Sequence, residues 1–443
     1  MASLFRDARA IFLTNVISAL AGLGSQSLLA WFLLPEGRGQ YGACLLFVTL
    51  VTLACTFGQE MANTYYVGAK KLTASQAFTQ SLFLGAATCA LACAVGYVLT
   101  LTGLKFLDKA PLAWFRWSLV CVPSLVFHLY LTRILLGLSD MSAFTCLTAL
   151  PPVVETFALA VVAGFSIDVK TAIGIHAGAD ALGALLAWGI LRFRHGCRLT
   201  PLRAEPLLRS LSYGGRFYVG KLISFANVHI ATLVLLMSAV GQQEIGLFAA
   251  ATAMASRLWM VCDALHMAML PRTASDPSGK SLVIAQVTRL CLLASAVVVL
   301  GAYVFSKPLI HVILSPRFLA VLIPFQLLLP GIWIRVIPKI LTAYFSGIDR
   351  PGINSVAMMV SAGVNIVLLL LLLPVWGLTG AALSTTVAYT LEAIFLATLF
   401  RRLSGLPIHR ILWPSAEDWA MMGQLWRRFT IGLRNPHRTA SSS

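Results

Sequence analysis

Apolar stretches of about 20 residues follow one another along almost the whole chain, and each is long enough to cross the hydrocarbon core of a bilayer. They are residues 11–34, 42–62, 78–101, 112–136, 143–165, 172–191, 217–240, 245–270, 282–305, 319–345, 353–373 and 378–400. A backbone in lipid must satisfy its own hydrogen bonds, which leaves helices or closed barrels, and segments of this length predict helices. The chain reads as an all-α integral membrane protein with about twelve transmembrane helices. Charged residues make up 11% of it, against about a quarter in soluble domains. Mean hydropathy is +0.84.

The net charge of +17 is unevenly placed. With the N-terminus in the cytoplasm, 20 Lys and Arg fall on the inner side, 6 on the outer side (Arg38, Lys105, Lys109, Lys170, Lys307 and Arg317) and 7 within spans. Basic loops resist translocation, so this bias predicts that both termini are cytoplasmic. The positive charge then reflects orientation and anionic membrane lipids; no nucleic-acid partner is expected. Of the 9 cysteines, all but Cys197 lie in apolar runs, which predicts small buried hydrophobes rather than a disulfide framework. Arg6 and Arg9 precede an apolar run that could imitate a secretory signal, but the run continues to Leu34 and predicts a retained first helix.

The two halves echo each other. Gly37-Arg38-Gly39-Gln40-Tyr41-Gly42-Ala43 follows the first span, and Gln243-Glu244-Ile245-Gly246-Leu247-Phe248-Ala249 follows the seventh. Leu131-Thr132 with Gly137-Leu138-Ser139 is matched by Leu341-Thr342 with Gly347-Ile348-Asp349, again about 210 residues on. An even number of helices separates the copies, so the halves share one topology and form a parallel repeat. The expected units are a first six-helix lobe over 1–191, a basic cytoplasmic linker over 192–216, a second six-helix lobe over 217–402 and a basic tail over 403–443. In the tail, Trp419, Met422, Trp426 and Phe429 share a helix face, which predicts an amphipathic helix on the inner leaflet.

Seven cations and five acids fall inside spans, where each central charge costs roughly 2.5–3.5 kcal/mol on the insertion scale. The cations are Arg116, Arg133, Lys221, Arg257, Arg289, Arg335 and Lys339. Arg335 and Lys339 are four apart on one face, and with Lys221 and Arg257 they belong to the second lobe. These four are the expected substrate-binding cations of a central cavity, because guanidinium and ammonium groups grip anionic phosphate. Arg116, Arg133 and Lys221 lie near predicted span ends, where snorkelling competes with that reading. The acids Glu60, Glu155, Asp180, Asp263 and Glu392 are candidates for proton coupling or for plain charge balance. Pro151 and Pro152, just before Glu155, predict a kinked or broken fifth span.

Catalytic chemistry is missing. His128, His176 and His229 show no metal-site spacing, so neither a metal nor a cofactor is expected. Ser278-Gly279-Lys280-Ser281 resembles the end of a phosphate loop, but Ala274 stands where that loop needs glycine. The sequence reads as a transporter rather than an enzyme.

Three stretches resemble the polysaccharide flippases of the multidrug/oligosaccharidyl-lipid/polysaccharide exporter superfamily, which include the O-antigen and capsule repeat-unit translocases. They are Leu33-Leu34-Pro35-Glu36-Gly37-Arg38-Gly39-Gln40-Tyr41-Gly42, then Gly246-Leu247-Phe248-Ala249-Ala250-Ala251 running on to Leu270-Pro271-Arg272, and the region from Leu328-Leu329-Pro330-Gly331 to Pro374-Val375-Trp376-Gly377-Leu378-Thr379-Gly380-Ala381-Ala382. The resemblance implies two six-helix lobes in a V that open alternately to either side. It implies an undecaprenyl-pyrophosphate-linked oligosaccharide as substrate, carried from the cytoplasmic to the outer leaflet of the bacterial inner membrane. Polysaccharide polymerase and chain-length machinery are the partners such a carrier would serve. Two other readings stay open: a proton- or sodium-coupled small-molecule exporter of the same superfamily, and a membrane polysaccharide polymerase, which the short outer loops disfavour.

Overall fold

The computed structural model describes residues 2–164, 167–258, 280–347, 350 and 352–413. Asp263 and the expected tail helix lie outside the described residues. The described chain is helical almost throughout. Among the described residues, nine helices are long and apolar enough to cross a membrane, and the protein is a multi-pass membrane protein.

The helices of the first lobe are α1 (Ala2–Thr56), α2 (Gln59–Gly68), α3 (Ala74–Leu99), α4 (Leu112–Ser118), α5 (Cys121–Gly137), α6 (Met141–Val162) and α7 (Val169–Gly189). Those of the second are α8 (Ala204–Met237), α9 (Gln242–Arg257), α10 (Lys280–Val304), α11 (Leu322–Ile334), α12 (Val336–Gly347), α13 (Gly352–Ser404) and the short α14 (Ile408–Leu412).

Two of these helices are folded back on themselves. Pro35 disfavours helical backbone at the residue before it, and Leu34 accordingly leaves the helix with φ 60° and ψ 173°. Ala21 and Tyr41 both reach one turn of α6, at Thr156 and Glu155. A straight helix would hold them about 30 Å apart. In α13 the break is Gly377, at φ 54° after Pro374. There a Cβ on Gly380 would stand 2.5 Å from the carbonyl oxygen of Leu372, eight residues earlier. Counted with these two reversals, the candidate spans among the described residues make eleven apolar crossings; α9, of 16 residues, is not one of them.

Helix starts follow local chemistry. Thr73 and Gln76 form a capping box on α3, with bonds of 3.0 and 3.2 Å. Asp140 caps α6 and Asp168 caps α7, each accepting from the amide three residues on. The expected break at Pro151 and Pro152 does not form: α6 runs through both. Residues 204–216, placed in the linker by their charge, are the first turns of α8.

Within the first lobe α1 packs on α3 and α6, α5 on α2, α3 and α7, and α6 on α7. In the second, α13 packs on α8, α11 and α12. The lobes meet along two seams, α1 against α9 and α2 against α8. One buried apolar cluster crosses between them, joining Leu46, Phe47 and Val51 to Leu235, Leu236 and Phe248.

Candidate functional site

Two cavities lie between the lobes. The first, of about 370 Å³, is walled by Thr49 of α1, His229 and Thr232 of α8, Thr252 and Ser256 of α9, and Thr385 and Tyr389 of α13. The second, of about 640 Å³, is walled by Thr52 and Thr56 of α1, Glu60 of α2, and Tyr218, Lys221, Ser224 and Phe225 of α8. Thr49, Val228 and His229 belong to both walls, so the two adjoin and make up an interlobe chamber of two compartments. Hydroxyl groups recur along it at helical spacing, at Thr49, Thr52 and Thr56 on one side and at Thr252 and Ser256 on the other.

Contacts between the lobes lie at both ends of the chamber. At one end Gly39 lies backbone to backbone against Gln242 and Gly246. There the Gln40 side-chain amide donates to the Gln242 Oε1 at 2.7 Å, and Lys109 Nζ donates to the carbonyls of Ser238 and Val240 at 2.8 and 2.7 Å. At the other end Gly58 crosses Gly214, the Tyr218 hydroxyl donates to the Ala54 carbonyl at 2.9 Å, and the rings of Tyr65 and Tyr213 stack at 4.4 Å. Lys221 also donates to Glu60 across this seam, as an ion pair.

The four expected cations take different positions. Lys221 lines the larger cavity. Arg335 lies 4.0 Å from the ring centroid of Tyr389, which lines the smaller one. Arg257 is one residue beyond Ser256 of the same wall, and its guanidinium occupies the space against Gly22 of α1, where a Cβ would meet Nη2 at 2.7 Å. Lys339 follows one turn after Arg335, its amide bonded to the Arg335 carbonyl at 3.3 Å. Away from the chamber, Arg116 Nε donates to Thr100 at 3.2 Å and Arg289 donates to the Arg410 carbonyl.

The acids are dispersed as well. Glu60 pairs with Lys221, and Glu392 accepts from the Asn227 amide at 3.1 Å between α13 and α8. Glu155 and Asp180 come together within the first lobe, joined by a residue that the sequence alone does not mark as their partner. His176 Nδ1 is 3.1 Å from Glu155, and its Nε2 is 3.9 Å from Asp180. The Tyr41 hydroxyl donates to Glu155 at 3.4 Å. Arg38, counted above as an outer-loop residue, is 5% exposed and lies over the Tyr41 ring. The i, i+4 spacing of His176 and Asp180 is the one sequence sign of this group. Among the described residues no cluster of His, Cys, Asp and Glu suits a metal ion.

No protein-family model matches the chain. It is 28% identical over 104 residues to the uncharacterized membrane protein MJ1068 of Methanocaldococcus jannaschii, a match to 24% of this chain that spans only 20% of that protein. Among solved structures, the lipid II flippase MurJ in an inward closed conformation superposes with a TM-score of 0.68 at 13% identity, covering 94% of this chain and 92% of MurJ. The Vibrio cholerae MATE transporter VcmN in its bent form gives 0.60 at 14% identity, covering 93% and 100%. A multidrug resistance MATE transporter of the MOP superfamily in its outward-facing conformation gives 0.61 at 14%, covering 89% and 96%. The chain has the fold of these transporters. At such identities the likeness concerns fold alone.

Proposed function

We propose that this protein carries a lipid-linked oligosaccharide, its glycan joined to undecaprenyl pyrophosphate, from the cytoplasmic to the outer leaflet of a bacterial inner membrane, with both termini cytoplasmic. The observation that carries the reading is the chamber: set between two lobes, mainly apolar in lining with hydroxyl groups spaced along it, and flanked at either end by contacts between those lobes. Separating the α2–α8 seam opens it to one side, and separating the α1–α9 seam opens it to the other. Such a chamber suits a polyhydroxylated headgroup, while the lipid tail stays in the bilayer. In this reading Arg257, beyond Ser256, and Arg335, on the Tyr389 ring, supply positive charge for the pyrophosphate, with Lys339 one turn further on. That MurJ, a lipid II flippase by name, shares the fold supports a lipid-borne passenger.

A second reading has its own support. Glu155, His176 and Asp180 form a buried titratable group of the kind an ion-coupled small-molecule exporter uses. The test that separates the two uses purified full-length protein in proteoliposomes. A fluorescent polyprenyl-pyrophosphate-linked oligosaccharide is expected to become accessible to reductant on the opposite leaflet, with no efflux of a cationic dye. Dye efflux without lipid movement reverses the conclusion.

A further inference from the structure

Glu60 is 1% exposed, yet it lines the larger cavity. Lys221 engages its Oε1. Its Oε2 has no hydrogen-bond partner among the described residues, and neither has the hydroxyl of Thr52 in the same wall; both atoms are shielded while the seam is closed, so a ligand meets them as α2 and α8 part. A buried carboxylate oxygen without a donor is costly. These groups are not loosely held. Gln59, beside Glu60, donates to Asn63 at 3.0 Å, and Asn63 donates in turn to Ser81 at 2.7 Å and to the Tyr130 carbonyl at 3.1 Å. The Tyr130 hydroxyl reaches the Thr56 carbonyl at 3.0 Å. Three helices of the first lobe thus fix the turn that presents Glu60, as a preorganised site requires.

The chemistry of a fitting ligand follows from what is left open. Lys221 already neutralises the carboxylate, so a neutral donor suits Oε2 better than a second cation. The Thr52 hydroxyl, four residues before Thr56 on the same wall, can accept or donate. The rings of Tyr218 and Phe225 line the same cavity and offer apolar faces. Hydroxyl donors beside C–H faces are the surface of a sugar ring. We infer that Glu60 and Thr52 form a sugar-reading site, in which the free carboxylate oxygen accepts from glycan hydroxyls and Lys221 is a positioning residue that holds the carboxylate in place. This deepens the proposed function and rests on it: the glycan, not the lipid phosphate, is what this half of the chamber recognises.

The experiment compares two probes in proteoliposomes of the full chain: a fluorescent polyprenyl pyrophosphate bearing an oligosaccharide, and the same lipid without sugar. Wild type is expected to prefer the sugar-bearing lipid. Glu60→Gln and Thr52→Val each reduce that preference about tenfold or more, the size expected for a lost hydrogen bond to a charged group or a buried donor left without its acceptor. The preference is taken as the ratio of sugar-bearing to bare lipid moved by the same variant, so a weakened seam contact that slows both lipids alike leaves it unchanged. Thr52→Val breaks no bond within the protein, so it keeps the test open where Glu60→Gln fails to fold. The charge-exchanged double variant, Glu60→Lys with Lys221→Glu, restores an ion pair but moves the carboxylate to α8, and it is expected to stay without sugar preference. Wild-type preference in Glu60→Gln or Thr52→Val overturns the inference, and so does its recovery in the exchanged variant, which would make the pair a latch alone. If wild type moves both lipids equally, sugar reading falls while lipid flipping stands. If it moves neither, both fall.

Discussion

Gly58 and Gly214 cross backbone to backbone at the seam between α2 and α8, so closely that a Cβ on Gly214 would stand 2.6 Å from the Phe57 carbonyl oxygen. Gly58 itself sits at φ 70°, a conformation that side-chain-bearing residues rarely adopt. Nothing larger than glycine lets the two lobes approach this far. Around the crossing, the Tyr218–Ala54 bond, the Tyr65–Tyr213 stack and the Lys221–Glu60 pair all depend on that approach.

Gly214→Val is therefore expected to keep this seam apart while leaving each lobe folded. The protein should be made at wild-type level and elute as a single species. Transport should fall by about 5- to 150-fold, since one clash at a packed contact is worth about 1–3 kcal/mol. A cysteine pair at Ala54 and Tyr218, joined by a bifunctional thiol reagent that spans the reach of the lost tyrosine ring, should cross-link readily in the wild-type background and poorly beside Gly214→Val. Transport at the wild-type rate, with the cross-link lost, shows that closing this seam is not part of the cycle.

Arg257 and Arg335 are the cations that the proposed function assigns to the phosphate; one packs on Gly22 and the other on the Tyr389 ring. Arg257→Ala or Arg335→Ala is expected to block glycan surface display while protein level stays intact. Arg→Lys at position 335 should rescue only in part, because an ammonium lacks the planar fork that stacks on the ring and bridges two oxygens. Normal display in both alanine variants removes these residues from substrate binding.

Much of the fold was legible because membrane spans obey a simple length rule. The apolar runs over 78–101, 112–136 and 172–191 coincide closely with α3, α4–α5 and α7. Leu34 and Gly377 were visible as boundaries because proline and glycine act through local sterics. Interactions between helices were not legible. Nothing in the sequence ties Glu60 to Lys221, 161 residues away, and the charge of Arg38 disguised a buried residue as a loop residue. The membrane explains this: the apolar pattern reports depth in lipid, whereas polar contacts depend on how helices rotate and cross. Pro151 and Pro152 misled as to a break: α6 runs through both, and the turn after them is tied to α1, where the Thr156 hydroxyl lies 2.6 Å from the Ala21 carbonyl.

The Glu155–His176–Asp180 group tests whether transport is ion-coupled. His176 Nδ1 meets the Glu155 carboxylate at 3.1 Å, and the Asp180 carboxylate lies 3.9 Å from its Nε2. Glu155→Gln keeps the size of the side chain but cannot ionise. With an imposed proton gradient, wild-type transport is expected to accelerate and Glu155→Gln to lose that response. Gradient-free exchange of labelled for unlabelled substrate should persist, because it needs no net proton movement. An unchanged gradient response in Glu155→Gln assigns these acids to charge balance alone.

Asp140 offers a test of stability, outside the spans, with a definite sign. Its carboxylate caps α6 by accepting from the Ala143 amide at 3.2 Å. It also meets His195 Nε2 at 2.9 Å and Arg194 Nη1 at 3.3 Å, which tie the end of α7 to the start of α6. Burial by itself pushes this carboxyl up, but the His195 hydrogen bond, the Ala143 amide and the Arg194 charge outweigh it and hold it below the ordinary carboxylate value. A carboxyl lowered on folding stabilises the protein above its unfolded value, about 3.9, and that contribution is lost as pH falls through the lower folded value. Asp140→Ala removes cap and charge together and is expected to cost about 1 kcal/mol at neutral pH. Asp140→Asn retains an oxygen for the cap and should cost less. Followed by thermal unfolding in detergent, the gap between wild type and Asp140→Asn should be constant near neutrality and shrink below about pH 4, where the wild-type carboxylate takes up its proton. A gap that holds constant down to pH 3 means that the charge of Asp140 adds nothing to its role as a cap.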